Sequence, residues 1–145
     1  MPSSTPGNTR FPFLTQRPRD DGCGAFVLQM LTGRSYEQIA MMIGWQDGEI
    51  HRSTWENLSD VLSTIGWTFE APRQVQTWDE IKGIAIVHVR QDHFLLYDAE
   101  NQLIYDPAEL EGPSTTSNRI PMSSMAVLVP ERLPQDSKKP STRRE

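Results

Sequence analysis

The sequence contains one cysteine, Cys23, at the point where a polar, turn-forming segment gives way to an apolar run. Asp20, Asp21 and Gly22 favour a turn immediately before it. After it, apolar residues recur at helical spacing as far as Gly33, a residue that commonly ends helices. The pattern predicts a buried helix with the cysteine in its first turn. There the positive end of the helix dipole stabilises a thiolate, the nucleophilic form of cysteine.

Without further context a lone cysteine is more often a plain packing residue than a nucleophile, because free cysteines are among the most buried residue types. A catalytic interpretation needs a base and a group that orients the base. The chain has three histidines that could supply the base.

A predicted β-hairpin brings one histidine close to an aspartate. Its two strands begin at His93 and end at Asp106, with a turn between them. If the turn centres on Glu100 and Asn101, Leu95 lies opposite Asp106. Side chains alternate along a strand, so His93 and Asp106 share a face, with about 5–8 Å between their Cβ atoms. A one-residue slip in register would send the two side chains to opposite faces.

In this geometry the aspartate accepts a hydrogen bond from one imidazole nitrogen and leaves the other for a thiol. Two plainer explanations exist: Asp106 before Pro107 is a common way to end a strand, and His93 could simply begin a strand at the surface. His88 has no acidic residue at matching register, so we predict a structural role for it. His51 lies in a predicted loop. The histidines are too widely spaced in sequence to suggest a metal site, and no cofactor motif is present.

Acyl transfer also requires donors for an oxyanion. The backbone N–H of Cys23 is available at the predicted helix start. Gln16, a short distance upstream, could add its side-chain amide, although an ordinary loop glutamine explains it equally well.

Length and composition predict one domain. The chain has 145 residues, a net charge of −5 and no apolar run approaching the ~20 residues of a membrane span. These features argue against nucleic acid or a membrane as the main partner, and a single cysteine suggests a reducing, cytoplasmic location. We expect a flexible arm over residues 1–12, a domain over 13–131 and a disordered basic tail over 132–145. Oligomeric state is left open.

The order of elements predicts an α+β fold, with N-terminal helices packed on a C-terminal antiparallel sheet. Capping boxes of the Ser/Thr-x-x-Glu/Gln type predict helix starts at Ser35, Ser53 and Thr77. The predicted strands are 67–70, 84–89, 93–97, 103–106 and 125–129.

The Asp-x-Cys-Gly run, the His-Phe-Leu-Leu-Tyr strand and the Leu-Ile-Tyr-Asp-Pro strand resemble the papain-like C39 peptidases, which process bacteriocins after a double glycine, and their C39-like relatives. The resemblance covers residues 16–129. It implies a papain-like fold in which Cys23 is the nucleophile, His93 the general base and acid, Asp106 the residue that orients the imidazole and Gln16 the oxyanion donor. In the family the glutamine typically stands one residue closer to the cysteine, and an aspartate directly precedes the cysteine. Here Gly22 intervenes, and a one-residue insertion accounts for both differences.

The resemblance implies a cysteine peptidase that cleaves a peptide or amide bond in a protein or peptide substrate through a thioester, without a cofactor. Two alternatives are open at this stage. A thioester can also pass its acyl group to an amine, as in an acyltransferase, isopeptidase or deamidase, and a module that has lost turnover could bind peptides without cleaving them.

Overall fold

The computed structural model describes residues 11–14, 23–45, 54–90, 93–109 and 112–130. Within these ranges the chain forms three α-helices, a single 3₁₀ turn and a six-stranded antiparallel sheet, with the helices first. This is the α+β arrangement that the sequence predicts. The helices are α1 (Cys23–Thr32), α2 (Tyr36–Ile43) and α3 (Trp55–Thr64), and the 3₁₀ turn spans Trp78–Glu80.

The sheet takes up most of the second half of the chain. The strands are β1 (Thr68–Phe69), β2 (Arg73–Gln74), β3 (Ile84–Val89), β4 (His93–Asp98), β5 (Leu103–Tyr105) and β6 (Pro121–Leu128). Their order in the sheet is β1-β6-β3-β4-β5, and β2 also pairs with β6. The long strands β3 and β4 follow each other in the chain and pair along their whole length.

The larger apolar cluster fills the space between the helices and one face of the sheet. Helix α1 contributes five buried residues to it, and α2 and α3 contribute four more. Alternation along the strands decides which sheet residues face the helices. On the sheet side the cluster contains Ile84, Ile86, Phe94, Leu96, Leu103, Tyr105, Met125 and Val127.

A smaller apolar cluster covers the opposite face of the sheet. It is formed by the alternate residues of the same strands, together with side chains from the 3₁₀ turn and its flanks. The sheet is therefore buried on both faces, which explains why β3 is an almost uninterrupted apolar run. The cluster contains Val75, Ile81, Ala85, Val87, Val89, Leu95 and Ile104.

Local signals in the sequence place most helix ends correctly. Ser35 caps α2 through the predicted box with Gln38, and Gly44 ends that helix with a φ of 94°, a value that L-residues rarely adopt. The box predicted at Ser53 is wrong by one residue. Thr54 is the cap, because its side chain accepts from the N–H of Asn57 and the Asn57 side chain accepts from the N–H of Thr54, both at 3.1 Å. Asparagine here performs the role expected of glutamate or glutamine.

The one or two turns of helix predicted after Thr77 form as a single 3₁₀ turn. Two other predictions need correction. Strand β6 begins at Pro121 rather than near Met125. Strand β2 was not predicted. Phe11, inside the predicted arm, is 5% exposed, and its N–H donates to the Tyr105 hydroxyl at 3.4 Å. The folded part of the chain therefore includes residues before position 13.

Most of the predicted arm, the whole tail from 132, Gln16 and His51 lie outside the described residues. In the part of the chain that the structure describes, every helix is too short or too polar to cross a membrane.

Leu96 tests the interface between the helices and the sheet. It is fully buried on β4, so we expect Leu96→Ala to lower the free energy of unfolding by about 2–5 kcal/mol through lost burial and a residual cavity. Met41 on α2 is 79% exposed, and Met41→Ala should change the free energy of unfolding by no more than about 0.5 kcal/mol. Urea unfolding followed by tryptophan fluorescence measures both. Equal effects at the two positions would contradict this packing.

Candidate active site

His93 and Asp106 meet at one end of the β4–β5 hairpin. The Nε2 atom of His93 lies 2.6 Å from Oδ1 of Asp106. Leu96 pairs with Tyr105 and Tyr97 with Ile104, so the next residues outward, Leu95 and Asp106, lie opposite each other. This is the register that the sequence predicts from a turn centred on Glu100 and Asn101. It places the imidazole and the carboxylate on the same face of the sheet.

Both members of the pair are shielded from solvent, with 12% of the His93 side chain and 5% of the Asp106 side chain exposed. A carboxylate can only accept, so the hydrogen bond places a proton on Nε2 of His93. In the neutral imidazole this tautomer makes Nδ1 the basic nitrogen. The geometry therefore distinguishes the two ring nitrogens: Nε2 binds the aspartate, and in the neutral ring Nδ1 is the nitrogen capable of accepting a proton.

Two further donors hold the carboxylate of Asp106. The backbone N–H of Ala108 donates to Oδ1 at 3.0 Å, and Nε of Arg119 donates to Oδ2. Burial raises the pKa of this carboxyl. The hydrogen bonds from His93, Ala108 and Arg119 and the charge of His93 outweigh burial, and the pKa lies below its ordinary value of 3.8. Asp106 is therefore ionised throughout the neutral range.

Cys23 is the first residue of α1, as the sequence predicts. Its side chain and the whole of Gln16 lie outside the described part of the structure. Helix α1 packs on the sheet face that carries Phe94 and Leu96. His93 alternates with Phe94 and so belongs to the opposite face, but it is the first residue of β4.

His88 occupies the structural position predicted for it. Its ring lies 4.8 Å from that of Phe94 and 6.4 Å from that of Trp55, between centroids, on the helix-facing side of the sheet. Among the described residues, no group of three or more His, Cys, Asp or Glu side chains is arranged to hold a metal ion.

Sequence reasoning missed Arg119. It lies in the segment between β5 and β6, and with Asp106 it lines a cavity of about 600 Å³. No periodic pattern marks this residue, because it stands outside any helix or strand. The only available hint was that a buried aspartate usually needs a cationic partner.

The lowered pKa of Asp106 makes stability depend on pH. A carboxyl whose pKa is lower in the folded state stabilises the fold above its unfolded pKa, and the contribution is lost as pH falls through the folded pKa. We therefore expect the wild-type protein to exceed Asp106→Asn in free energy of unfolding at neutral pH. The difference should shrink once pH falls below 3.8. Urea unfolding over a pH series measures it, and a difference that stays constant with pH would contradict the ionised, paired carboxylate.

Comparison with known proteins gives similarity in structure only. No protein-family profile matches the sequence, and no curated protein matches it. A double glycine motif protease from an AMS/PCAT transporter, solved in complex with its leader peptide, superposes with a TM-score of 0.61 at 20% identity, covering 85% of this chain and 94% of that one. The peptidase domain of Streptococcus ComA, a bifunctional ABC transporter of a quorum-sensing pathway, superposes with a TM-score of 0.61 at 14% identity. This match covers 81% of this chain and 98% of the ComA domain. The chain has the fold of these papain-like C39 peptidase domains, as its motifs predict.

Proposed function

We propose that the protein is a cysteine peptidase in which Cys23 is the nucleophile and His93 the general base and acid. Asp106 orients the imidazole, and Gln16 joins the Cys23 N–H in binding the oxyanion. One observation carries the proposal: a partly buried His93–Asp106 hydrogen bond of 2.6 Å, in a fold shared with peptidase domains. A carboxylate that fixes the tautomer of a histidine is the arrangement that nucleophilic hydrolases use.

The first half of the reaction forms a thioester. Nδ1 of His93 takes the thiol proton, giving a thiolate–imidazolium pair, and the Cys23 sulfur attacks the carbonyl carbon of the substrate. The carbonyl oxygen becomes an oxyanion, which the Cys23 N–H and the Gln16 amide stabilise. The imidazolium then gives its proton to the leaving nitrogen, the C–N bond breaks, and an amine departs.

The second half releases the acyl group. Nδ1 of His93 removes a proton from water, and the resulting hydroxide attacks the thioester carbonyl. The C–S bond breaks, a carboxylic acid leaves, and the proton held by His93 restores the resting pair. Asp106 stays ionised in both halves, since its pKa is held low, and its charge stabilises the imidazolium each time it forms.

We propose a peptide as the substrate. The support is that one structural neighbour was solved with a leader peptide bound. We also propose a cytoplasmic location, because a reducing compartment keeps a free thiol from oxidation.

Alkylation of Cys23 by iodoacetamide tests the activated pair. We expect reaction well below the ordinary cysteine pKa of about 8.5, and we expect His93→Ala to abolish that low-pH reaction. His88→Gln is the matched control, because His88 lies on the neighbouring strand and faces the other way. It should leave the reaction unchanged. A thiol indifferent to His93 would remove the catalytic interpretation and leave a peptide-binding module.

Hydrolysis of a peptide library by the full chain tests turnover. Cys23→Ala should abolish cleavage, and His93→Ala should lower its rate by about 10²–10⁴-fold, the usual contribution of general acid–base catalysis. Mass spectrometry of the products, with and without an added primary amine, identifies the acceptor. Products that carry the amine in place of a free carboxylate would show an acyltransferase instead.

A further inference from the structure

We propose that Arg119 is a positioning residue of this site: its guanidinium holds the Asp106 carboxylate in the orientation that binds His93. The inference deepens the proposed peptidase function and rests on it for its catalytic meaning. Whether the His93–Asp106 pair depends on Arg119 can be measured without any reaction of Cys23.

The two carboxylate oxygens of Asp106 have separate partners. Oδ1 accepts from Nε2 of His93 and the N–H of Ala108, while Oδ2 accepts from Nε of Arg119. A carboxylate attached through a single bond can rotate, so holding one oxygen fixes the direction of the other. Arg119 binds the oxygen that the imidazole does not use, and it therefore orients the carboxylate without competing for Oδ1.

Arg119 is itself held in place on both sides of its backbone. Its N–H donates to the hydroxyl oxygen of Ser117 at 3.0 Å, and its carbonyl accepts from the indole N–H of Trp78 at 3.2 Å. The side chain is 26% exposed, so most of it is packed. These contacts fix the segment before β6 against the 3₁₀ turn, and the guanidinium meets Asp106 from an anchored backbone.

Electrostatics reinforces this geometry. The titratable His93 and the charged Arg119 contact the carboxylate, and Arg90 and Glu109 line the same cavity. Among the described residues, Arg90 makes no bond to Asp106, although it shares the cavity. Arg119 is therefore the permanent cation at the carboxylate, since an arginine stays charged whatever the state of the histidine.

NMR on the full chain, labelled with ¹³C and ¹⁵N, tests the proposal directly. The carboxyl ¹³C shift of Asp106 and the ring ¹⁵N shifts of His93 are followed against pH in wild type, Arg119→Gln, Arg119→Lys and Arg90→Gln. We expect the titration midpoint of Asp106 to rise in Arg119→Gln, because the hydrogen bond from Arg119 is one of the contacts that hold the pKa of this carboxyl low. The His93 ring shifts should move towards a mixture of tautomers.

The other variants separate orientation from packing. Arg119→Lys should recover part of the midpoint shift, since lysine keeps the charge and loses the planar fork. Arg90→Gln should match wild type. If Arg119→Gln fails to fold, Arg119→Ala with added ethylguanidinium replaces it, and recovery of the wild-type His93 shifts on addition is the expected result. Wild-type midpoints and ring shifts in both Arg119→Gln and Arg119→Lys would overturn the proposal.

Iodoacetamide reaction of Cys23 in the same variants keeps the two proposals apart. If NMR changes as expected and Arg119→Gln also reacts more slowly at low pH, Arg119 supports an activated thiol through the pair. If NMR changes but the wild-type thiol never depends on His93, the positioning role of Arg119 stands and the peptidase proposal fails. If the thiol depends on His93 but not on Arg119, with NMR unchanged, the peptidase proposal stands and this inference fails.

Discussion

The site depends on a buried carboxylate. An ionised aspartate with almost no solvent contact is costly unless hydrogen-bond donors and opposite charges replace the lost water. The donors to Asp106 come from three separate places: His93 at the start of β4, Ala108 just after β5 and Arg119 just before β6. The carboxylate thus joins the two ends of a hairpin to a segment more than ten residues further along the chain.

The hairpin is held in register from both faces, which is why the pair can be aligned so closely. Leu96 and Tyr105 belong to the cluster under the helices, while Leu95 and Ile104 belong to the cluster on the other face. A slip of one residue would exchange these two sets and turn Asp106 away from His93. Apolar packing on both faces of the sheet therefore fixes the register on which the pair depends.

The sequence predicts the parts of the site that lie on regular strands, where side chains alternate between faces, but it does not predict the parts that lie on irregular segments. The His93–Asp106 alignment follows from two-residue alternation and a symmetric turn, both visible in the sequence. Arg119 reaches Asp106 only because the segment before β6 returns to the hairpin, where Ser114 forms a β-bridge with Ile104, and no local pattern in the sequence predicts such a path.

Element boundaries differ from the prediction for local reasons. Proline usually interrupts a strand, but it is tolerated as the first residue, which is the position of Pro121 in β6. Thr54 caps α3 in place of the predicted Ser53, because Asn57 completes the capping box in the way predicted for Glu56.

The two layers of the fold divide the proposed chemistry between them. Cys23 opens a helix that packs on one face of the sheet, whereas His93 and Asp106 belong to the other face and lie at the end of their strands. The proposed mechanism needs the thiol and the imidazole to meet near the start of β4, so it depends on where the first turn of α1 lies. The packing of α1 on the sheet holds this helix in place through the same apolar contacts that stabilise the domain. The proposal therefore gives the hydrophobic core the task of bringing nucleophile and base together, and gives the carboxylate on the sheet the task of orienting the base.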